Sequence, residues 1–468
     1  MIVGREQELR ELNDNYKSNN SGLIVIYGRR RIGKSSLIGY YVEKKPFLSF
    51  EALEGISTLK QIEHFIAQMS AQIEDEFLLQ MKFTTWDQVF RYITEKLKHG
   101  KKKHVLFFDE FQWMASNQSS LVSLIKFFWD TEWKKLNVQL ILCGSIASFM
   151  VDKVIKSKAL YGRVDLELLI TELKPVELLK FFDKNRSLHE VLKYILIMGG
   201  VPKYFELINK NESFEKNIQK LAFSSSGYLF NDYEKIFYAQ FKEPSTYEKI
   251  VHFLLKKPQS LEEISGHLKM KSSGGVKRYL KNLEIARFIR SYKPIQKNKT
   301  NIIKYKMLDE YLIFFHKYIL PHKKQIQNNS PNNIFASKIK TDWTPWLGIA
   351  FENFCLKYNV VICDALGIKD IVNEVGPYFE RNDTGGFQID LLIKRTDDTW
   401  MICGCKYYEG TVGVEVINEF ENKLKRIEVP RGVSVEKVLI SVNGANSSVE
   451  KLNYFNRILK IKDFFKDY

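Results

Sequence analysis

Ten residues, Tyr27-Gly28-Arg29-Arg30-Arg31-Ile32-Gly33-Lys34-Ser35-Ser36, constrain this chain more than any other stretch. They follow the apolar run Gly22 to Ile26 and lead into an apolar-periodic segment. The spacing fits G-x-x-x-x-G-K-[ST], a phosphate-binding loop, in the strand–loop–helix context that the pattern requires. Gly28 and Gly33 let backbone N–H groups turn inward onto phosphate oxygens, where side chains would obstruct. A helix starting near Lys34 aims its positive end at the same anion. On this pattern Lys34 neutralises the β- and γ-phosphates of ATP and Ser35 gives its hydroxyl to Mg²⁺. Such a loop predicts an α/β fold, with a parallel sheet of the P-loop NTPase kind.

At 468 residues the chain has room for about three domains. No run of 18 apolar residues suggests a transmembrane helix. The N-terminus enters charged sequence at Gly4-Arg5-Glu6, unlike a signal peptide. Five cysteines without framework spacing point to reduced thiols and a cytoplasmic setting. Cys403 and Cys405 fall on one face of an expected strand, but no second pair or His cluster completes a metal site. The net charge of +16 is unevenly placed: residues 247–306 hold 15 Lys/Arg against 4 Asp/Glu. A basic patch this local suggests a polyanion partner, and the bland alternative is a solvated face.

Along the chain, Val3 to Tyr16 reads as an amphipathic helix, and Pro46 to Phe50 as a strand. Helical stretches follow near 57–80 and 86–99. His104-Val105-Leu106-Phe107-Phe108-Asp109-Glu110 reads as a buried parallel strand with carboxylates at its C-terminal end. Ligands sit at that end of an open α/β sheet. Asp109 would hold Mg²⁺ through water, and Glu110 would orient and deprotonate the attacking water. The strand Val138 to Cys143 ends at Gly144-Ser145, where Ser145 could sense the γ-phosphate or simply turn the chain. Arg163 could reach the γ-phosphate, in cis or from a neighbouring copy in a homo-oligomer; the alternative is an ion pair with Asp165 or Glu167.

Pro175 opens a helical stretch, and Gly199-Gly200-Val201-Pro202 bends it. Residues 247–306 have helix–turn–helix spacing. Ile250 to Leu255 gives one helix, and Ser260 with Glu263 caps a second. Lys271 to Gly275 forms the turn, and Val276 to Leu283 carries Lys277, Arg278 and Lys281 on its polar side. Two short strands, Phe288 to Tyr292 and Ile303 to Lys306, complete a winged-helix pattern that binds DNA or a protein partner. Residues 321–338, rich in Asn, Gln, Pro and Ser, read as a linker. Beyond it, Glu352 lies on a helix, Asp390 on an apolar strand and Lys406 at the end of a second strand. Acid, acid and Lys so placed could bind Mg²⁺ and polarise a phosphodiester.

The ordered set Gly4-Arg5-Glu6, Gly28–Ser35, Asp109-Glu110, Gly144-Ser145, Leu160-Tyr161-Gly162-Arg163 and Gly199-Gly200-Val201-Pro202 resembles the archaeal-type ATPases of the AAA+/STAND group. The resemblance implies an ATPase core followed by a winged helix and a restriction-endonuclease-like terminal domain. That last domain is similar to the PD-(D/E)xK nucleases at Glu352, Asp390 and Lys406. The sequence departs from them at Gly404, which stands where the family's second strand acid belongs. Glu374, from a neighbouring strand, is the candidate to replace it.

These readings give an expected division into an ATPase core (1–170), a helical lid (171–245), a winged helix (246–320), the linker (321–338) and a nuclease-like α/β domain (339–468). The expected function is ATP binding and hydrolysis coupled to a DNA-binding winged helix and a degenerate nuclease-like domain. An ATP-regulated nuclease, or an ATP-gated protein regulator without DNA, are the competitors.

Overall fold

The computed structural model describes residues 2–98, 102–115, 120–270, 273–295, 302–328, 334–339, 342–382 and 385–466. The chain divides into two compact units, Met1–Leu173 with Tyr238–Lys242, and Lys174–Phe237 with Glu243–Tyr468.

The first unit begins with helix α1 (Glu6–Lys17) and strand β1 (Gly22–Tyr27), followed by α2 (Lys34–Val42) and β2 (Phe47–Glu51). Helices α3 (Thr58–Ile73) and α4 (Trp86–Lys98) lead to β3 (His104–Asp109). Helix α5 (Leu121–Thr131), β4 (Val138–Gly144) and β5 (Leu166–Leu169) complete the core. The strands form one parallel sheet in the order β2-β3-β4-β1-β5. Its central strands are apolar along most of their length because both faces are covered. Leu23, Val25, Leu106, Phe108, Leu140 and Leu142 pack on one side. Ile24, Ile26, Val105, Phe107, Ile141 and Cys143 pack on the other. Strand β2 is an edge, and α3 covers it: Gln72 and Gln68 exchange amide hydrogen bonds with the backbone of Ser49 and Glu51 at 2.7–3.0 Å. A bare edge would template pairing with another chain. The helix expected over 57–80 stops at Ile73, where Glu74 turns left-handed (φ 53°) before a 3-10 turn at Glu76–Gln80.

The second unit opens with helical segments that include α6 (Leu188–Met198), capped by Ser187 and closed by Gly199 at φ 62°. Gly199 combines that φ with ψ −146°, a conformation that L side chains rarely adopt, which requires glycine there. Helix α7 (Tyr228–Gln240) ends within the first unit, and α8 (Pro244–Leu254) resumes the second. Strand β6 (Gln259–Ser260), α9 (Leu261–His267), α10 (Ser273–Ile285), β7 (Ile289–Tyr292) and β8 (Lys304–Met307) follow, with sheet order β6-β8-β7. Ser260 and Glu263 form the capping box of α9, as their spacing predicts. Of the expected turn, Lys271 and Ser272 lie outside the described residues. From Ser273 the chain is already helical, with the two glycines in the first turn, where N–H groups have no intrahelical partner to lose.

Within residues 321–338, whose composition suggests a linker, the described parts are helical and packed. After α11 (Glu310–Phe314), Lys323–Gln327 is helical and Phe335–Ile339 forms a helical turn. Ile326, Ile334, Phe335 and Ile339 are buried, and Phe335 stacks edge-on against Phe214 and Trp343. A few well-spaced apolar anchors outweigh the polar average; residues 329–333 lie outside the described residues.

Helix α12 (Trp343–Lys357) then leads to β9 (Val372–Asn382), β10 (Gly385–Arg395) and β11 (Thr399–Lys406). Helix α13 (Glu415–Leu424), β12 (Ser434–Ser441) and β13 (Arg457–Lys460) end the fold. The mixed sheet runs β13-β12-β11-β10-β9, with antiparallel pairing among β9, β10 and β11 and parallel pairing beyond. Ile295, just past β7, pairs with β9: its N–H donates to the Pro377 carbonyl (3.3 Å) and its carbonyl accepts from Phe379 (3.2 Å). The small sheet and the mixed sheet are therefore joined by backbone. A buried ion pair, Lys357 to Glu310 at 2.8 Å, ties α12 to α11.

Candidate functional site

The chain leaves β1 at Tyr27 and enters α2 at Lys34, so the intervening loop is at the C-terminal end of a central strand. A Cβ on Gly28 would collide with the Ile170 carbonyl oxygen, which explains that glycine by close approach. Gly33 has φ 83° and open space where a Cβ would project. The loop is anchored from behind. Arg5, itself left-handed (φ 71°) and buried, donates to the carbonyls of Ile32 (2.9 Å) and Thr171 (2.6 Å). Arg29 faces Glu172 at 3.3 Å, both buried, and the more exposed Arg30 faces Glu54 at 3.5 Å. Arg31 is left-handed (φ 72°), Ile32 is buried and Ser36 lies in the first turn of α2.

Lys34 is buried, and its ammonium donates to the Arg29 carbonyl at 3.0 Å. Among the described residues it has no carboxylate partner within 4 Å. A buried ammonium held by a neutral oxygen alone is poorly compensated, and an anion is the matching ligand. The Ser35 hydroxyl donates to Asp109 Oδ2 at 2.6 Å, which brings both expected Mg²⁺ ligands to one point. Hydroxyl, buried carboxylate, ammonium and the amides of a glycine-bounded loop are the donor set for a Mg²⁺-bound triphosphate, so these residues fit that group.

Glu110 sits directly after β3 at φ 48°, a conformation uncommon outside glycine. Its carboxylate accepts from the Ser145 hydroxyl (2.6 Å) and backbone N–H (3.3 Å), and from Gln112. Gln112 also bonds Ser145 at 3.2 Å, and Gln240, at the end of α7, donates to the Ser145 carbonyl at 3.3 Å. Ser145 therefore does not stand alone at a strand end; it holds Glu110. Gln112 and Gln240 escaped the sequence reading. Gln112 is two residues from Glu110 and carried that much signal, whereas Gln240 is 95 residues from Ser145 and carried none.

Arg163 is placed otherwise than expected. Its guanidinium forks onto Asp130 of α5 at 2.8 and 3.0 Å, not onto Asp165 or Glu167. Asp165 instead accepts from the Leu23 N–H at 2.7 Å. The Arg163 hydrogen bond holds the Asp130 carboxyl down at about 2.

The C-terminal acids form a second constellation. A bulge in β10 between Ile389 and Leu392 sets the buried Asp390, a common device for aiming a side chain. Asp390 accepts from the Cys405 N–H at 3.2 Å and from the Lys423 ammonium of α13 at 3.2 and 3.4 Å. Lys406 turns to Glu419, and Glu374 pairs with Lys394 at 2.9 Å, so Glu374 does not fill the place of the missing acid. Gly404 leaves little room for one: a Cβ there would press the Phe420 ring at 3.2 Å. Glu352 feels this setting. Burial first, then the nearby Asp390, push its carboxyl up to about 7. Across the β7–β8 ladder Arg290 faces Lys306, and Arg290 also donates to the Leu356 carbonyl of α12 at 3.2 Å. Burial, then Arg290, push the Lys306 ammonium down to about 8, opposed by Glu352. Among the described residues no group of three or more His, Cys, Asp or Glu is arranged to hold a metal ion. With an ammonium already on Asp390, this donor set does not fit Mg²⁺. All five cysteines, Cys403 and Cys405 included, are free and buried.

On α10, Lys277 and Arg278 are exposed and Lys281 is half-buried. Among the described residues no helix is long and apolar enough to cross a membrane.

Residues 2–208 match a family described as an ATPase domain predominantly from Archaea, and residues 315–422 match a family of archaeal and bacterial proteins of unknown function. An uncharacterised protein of Methanocaldococcus jannaschii is 29% identical over 403 residues, 85% of each chain. An uncharacterised ATP-binding protein of the same organism is 44% identical over 45 residues, 10% of this chain and 76% of that one. A Walker-type ATPase of Pyrococcus abyssi shares the fold at a TM-score of 0.51 and 18% identity, covering 67% of this chain and 95% of that one. Residues 2–208 thus carry an ATPase domain built on a P-loop NTPase sheet, and a mixed-sheet α/β region follows.

Proposed function

We propose that the protein is an ATP-driven switch whose nucleotide state governs a DNA-binding winged helix at 246–320 and a non-cleaving nuclease-like domain at 339–468, with 171–245 as a helical lid. The observation that carries the first part is the Ser35–Asp109 contact beside the uncompensated Lys34 ammonium. Residues 28–36 bind the phosphates, and Ser35 with Asp109 would hold Mg²⁺. When bound, that cation neutralises phosphate charge and polarises the oxygens around the transferred group. Lys34 neutralises the anion from the other side. Glu110 takes the proton of the attacking water, and Ser145 and Gln112 fix its carboxylate meanwhile. Arg163 is engaged by Asp130 within this unit, so a role at a neighbouring copy's phosphate would need that fork to open. We place the protein in the cytoplasm, where its free thiols stay reduced.

Exposed Lys277 and Arg278, in a segment of strong positive charge, support DNA as the polyanion. The Lys423–Asp390 contact favours binding over cleavage in the terminal domain. Two pairs of measurements test this. Lys34→Ala should lose ATP binding, while Glu110→Gln should keep it and lose turnover. Lys277→Glu with Arg278→Glu should lower DNA affinity and its salt slope; an unchanged slope would point to a protein partner.

A further inference from the structure

The cations of the β7–β8 hairpin are arranged unlike those of α10. Arg290 and Lys306 stand directly opposite each other on the antiparallel ladder, so both project from one face. Like charges so placed are destabilising. Both are also drawn away from water, which raises the cost of the repulsion. Arg290 has a carbonyl partner at Leu356, but among the described residues Lys306 has neither a hydrogen bond nor an ion pair within 4 Å. The neighbouring cations are already spoken for: Lys423 by Asp390, Lys406 by Glu419. Glu352 of α12 acts on Lys306 from a distance, and among the described residues it makes no ion pair within 4 Å with either cation. The place where β7, β8 and α12 meet therefore carries surplus positive charge that its own acids do not cancel. Lys306 is not sealed off, since it keeps intermediate exposure. A fold that tolerates such a pair loses stability unless an anion joins it.

We propose that Arg290 and Lys306 form a second nucleic-acid contact, gripping a phosphodiester of the strand that the winged helix binds. The occupant is a phosphate of the backbone, because a compact divalent pair of cations matches one tetrahedral anion and reads no base. The inference rests on the nucleic-acid reading above and adds a site that the helix α10 contacts do not include. It also gives the degenerate terminal domain a use. Backbone pairing of Ile295 with β9 fixes the hairpin on that domain, and Asp390 stays neutralised internally instead of repelling the strand.

The test is fluorescence anisotropy of a labelled duplex oligonucleotide with the full chain across a salt series. Wild type is compared with Arg290→Met, Lys306→Met, their combination, and the Lys277→Glu/Arg278→Glu variant. The combined Met variant should bind at least about tenfold more weakly, with a salt slope lower by about 2. Its midpoint of thermal unfolding without ligand should match or exceed that of wild type, because a repulsion has been removed. A purely structural pair would show the reverse, lower stability with unchanged affinity, and that would overturn the proposal. If Arg290→Met unfolds through its lost Leu356 bond, Lys306→Met alone carries the test, since Lys306 makes no bond to lose. Weakening by the α10 variant without weakening by the Met variants would sink this site and leave the winged-helix reading standing. Absence of DNA binding by wild type would sink both. Inorganic phosphate at millimolar concentration distinguishes the source: protection of wild type but not of Lys306→Met, with DNA affinity equal in the two, would assign free phosphate and overturn the backbone.

Discussion

Asp109 and Asp390 are both buried strand aspartates near a lysine, and the difference between them is what their partners leave open. Asp109 is touched by the Ser35 hydroxyl, a neutral donor that a cation can share. The ammonium beside it, Lys34, rests on a carbonyl and is free to move to a phosphate. Asp390 is held by the Lys423 ammonium and the Cys405 N–H, so its charge is already matched. One site is short of an anion and a cation; the other is closed. An acid at a strand therefore says little about metal chemistry until its compensating group is known.

The largest expected contrast is catalytic. Glu110→Gln should lower ATP turnover by about 10²–10⁴-fold with binding retained, as loss of a general base does. Asp390→Asn should leave turnover within about twofold, in a steady-state phosphate-release assay. Equal losses at both positions would erase the distinction between the sites.

Next in size is the cost of breaking the closed site. Asp390→Ala should destabilise by about 1–3 kcal/mol in a denaturant melt, the range for leaving the buried Cys405 N–H unsatisfied, since half-exposed Lys423 can turn to water. Adding Lys423→Met should recover part of that loss, which a double-mutant cycle measures. A strictly additive pair would show that the ion pair is incidental.

The glycine at the missing acid gives a sharper test. Gly404→Ala presses the Phe420 ring and should cost about 1 kcal/mol, within the range for overpacking. Gly404→Glu should cost more and still fail to give Mg²⁺-dependent cleavage of DNA. Cleavage by that variant would show that the site was one carboxylate short and otherwise competent.

The smallest effect is a pH dependence. Glu352 titrates near 7 in the folded chain against 4.5 in the unfolded one, so the folded state holds the extra proton between those values. Its contribution to stability is full below about 4.5 and is lost as the pH rises through 7. Glu352→Gln should therefore flatten the fall in unfolding midpoint over that window. An unchanged profile would remove Glu352 from the electrostatics of the closed site.

The same contrast explains what the sequence showed. The phosphate loop was legible because its parts are contiguous, although the close approach that requires Gly28 comes from distant Ile170. The strand acids Asp109 and Glu110 were legible because an apolar run pointed to them. The closed site was not, because Lys423 reaches Asp390 across 33 residues and Arg290 with Lys306 arrive from a different sheet. Nothing local marks such partners. Gln240 on Ser145 and Asp130 on Arg163 escaped for the same reason, since both are contacts between distant segments. Residues 321–338 failed differently: their polar average hid Ile326, Ile334 and Phe335, which decide the packing.

The most direct measurement is a calorimetric titration of ATP into the full chain, with and without Mg²⁺, for wild type, Asp109→Asn and Asp390→Asn. Mg²⁺-enhanced binding should be present in wild type, lost with Asp109→Asn and intact with Asp390→Asn. Binding that ignores Mg²⁺ in wild type, or that depends on Asp390 and not on Asp109, would contradict the assignment of the open site.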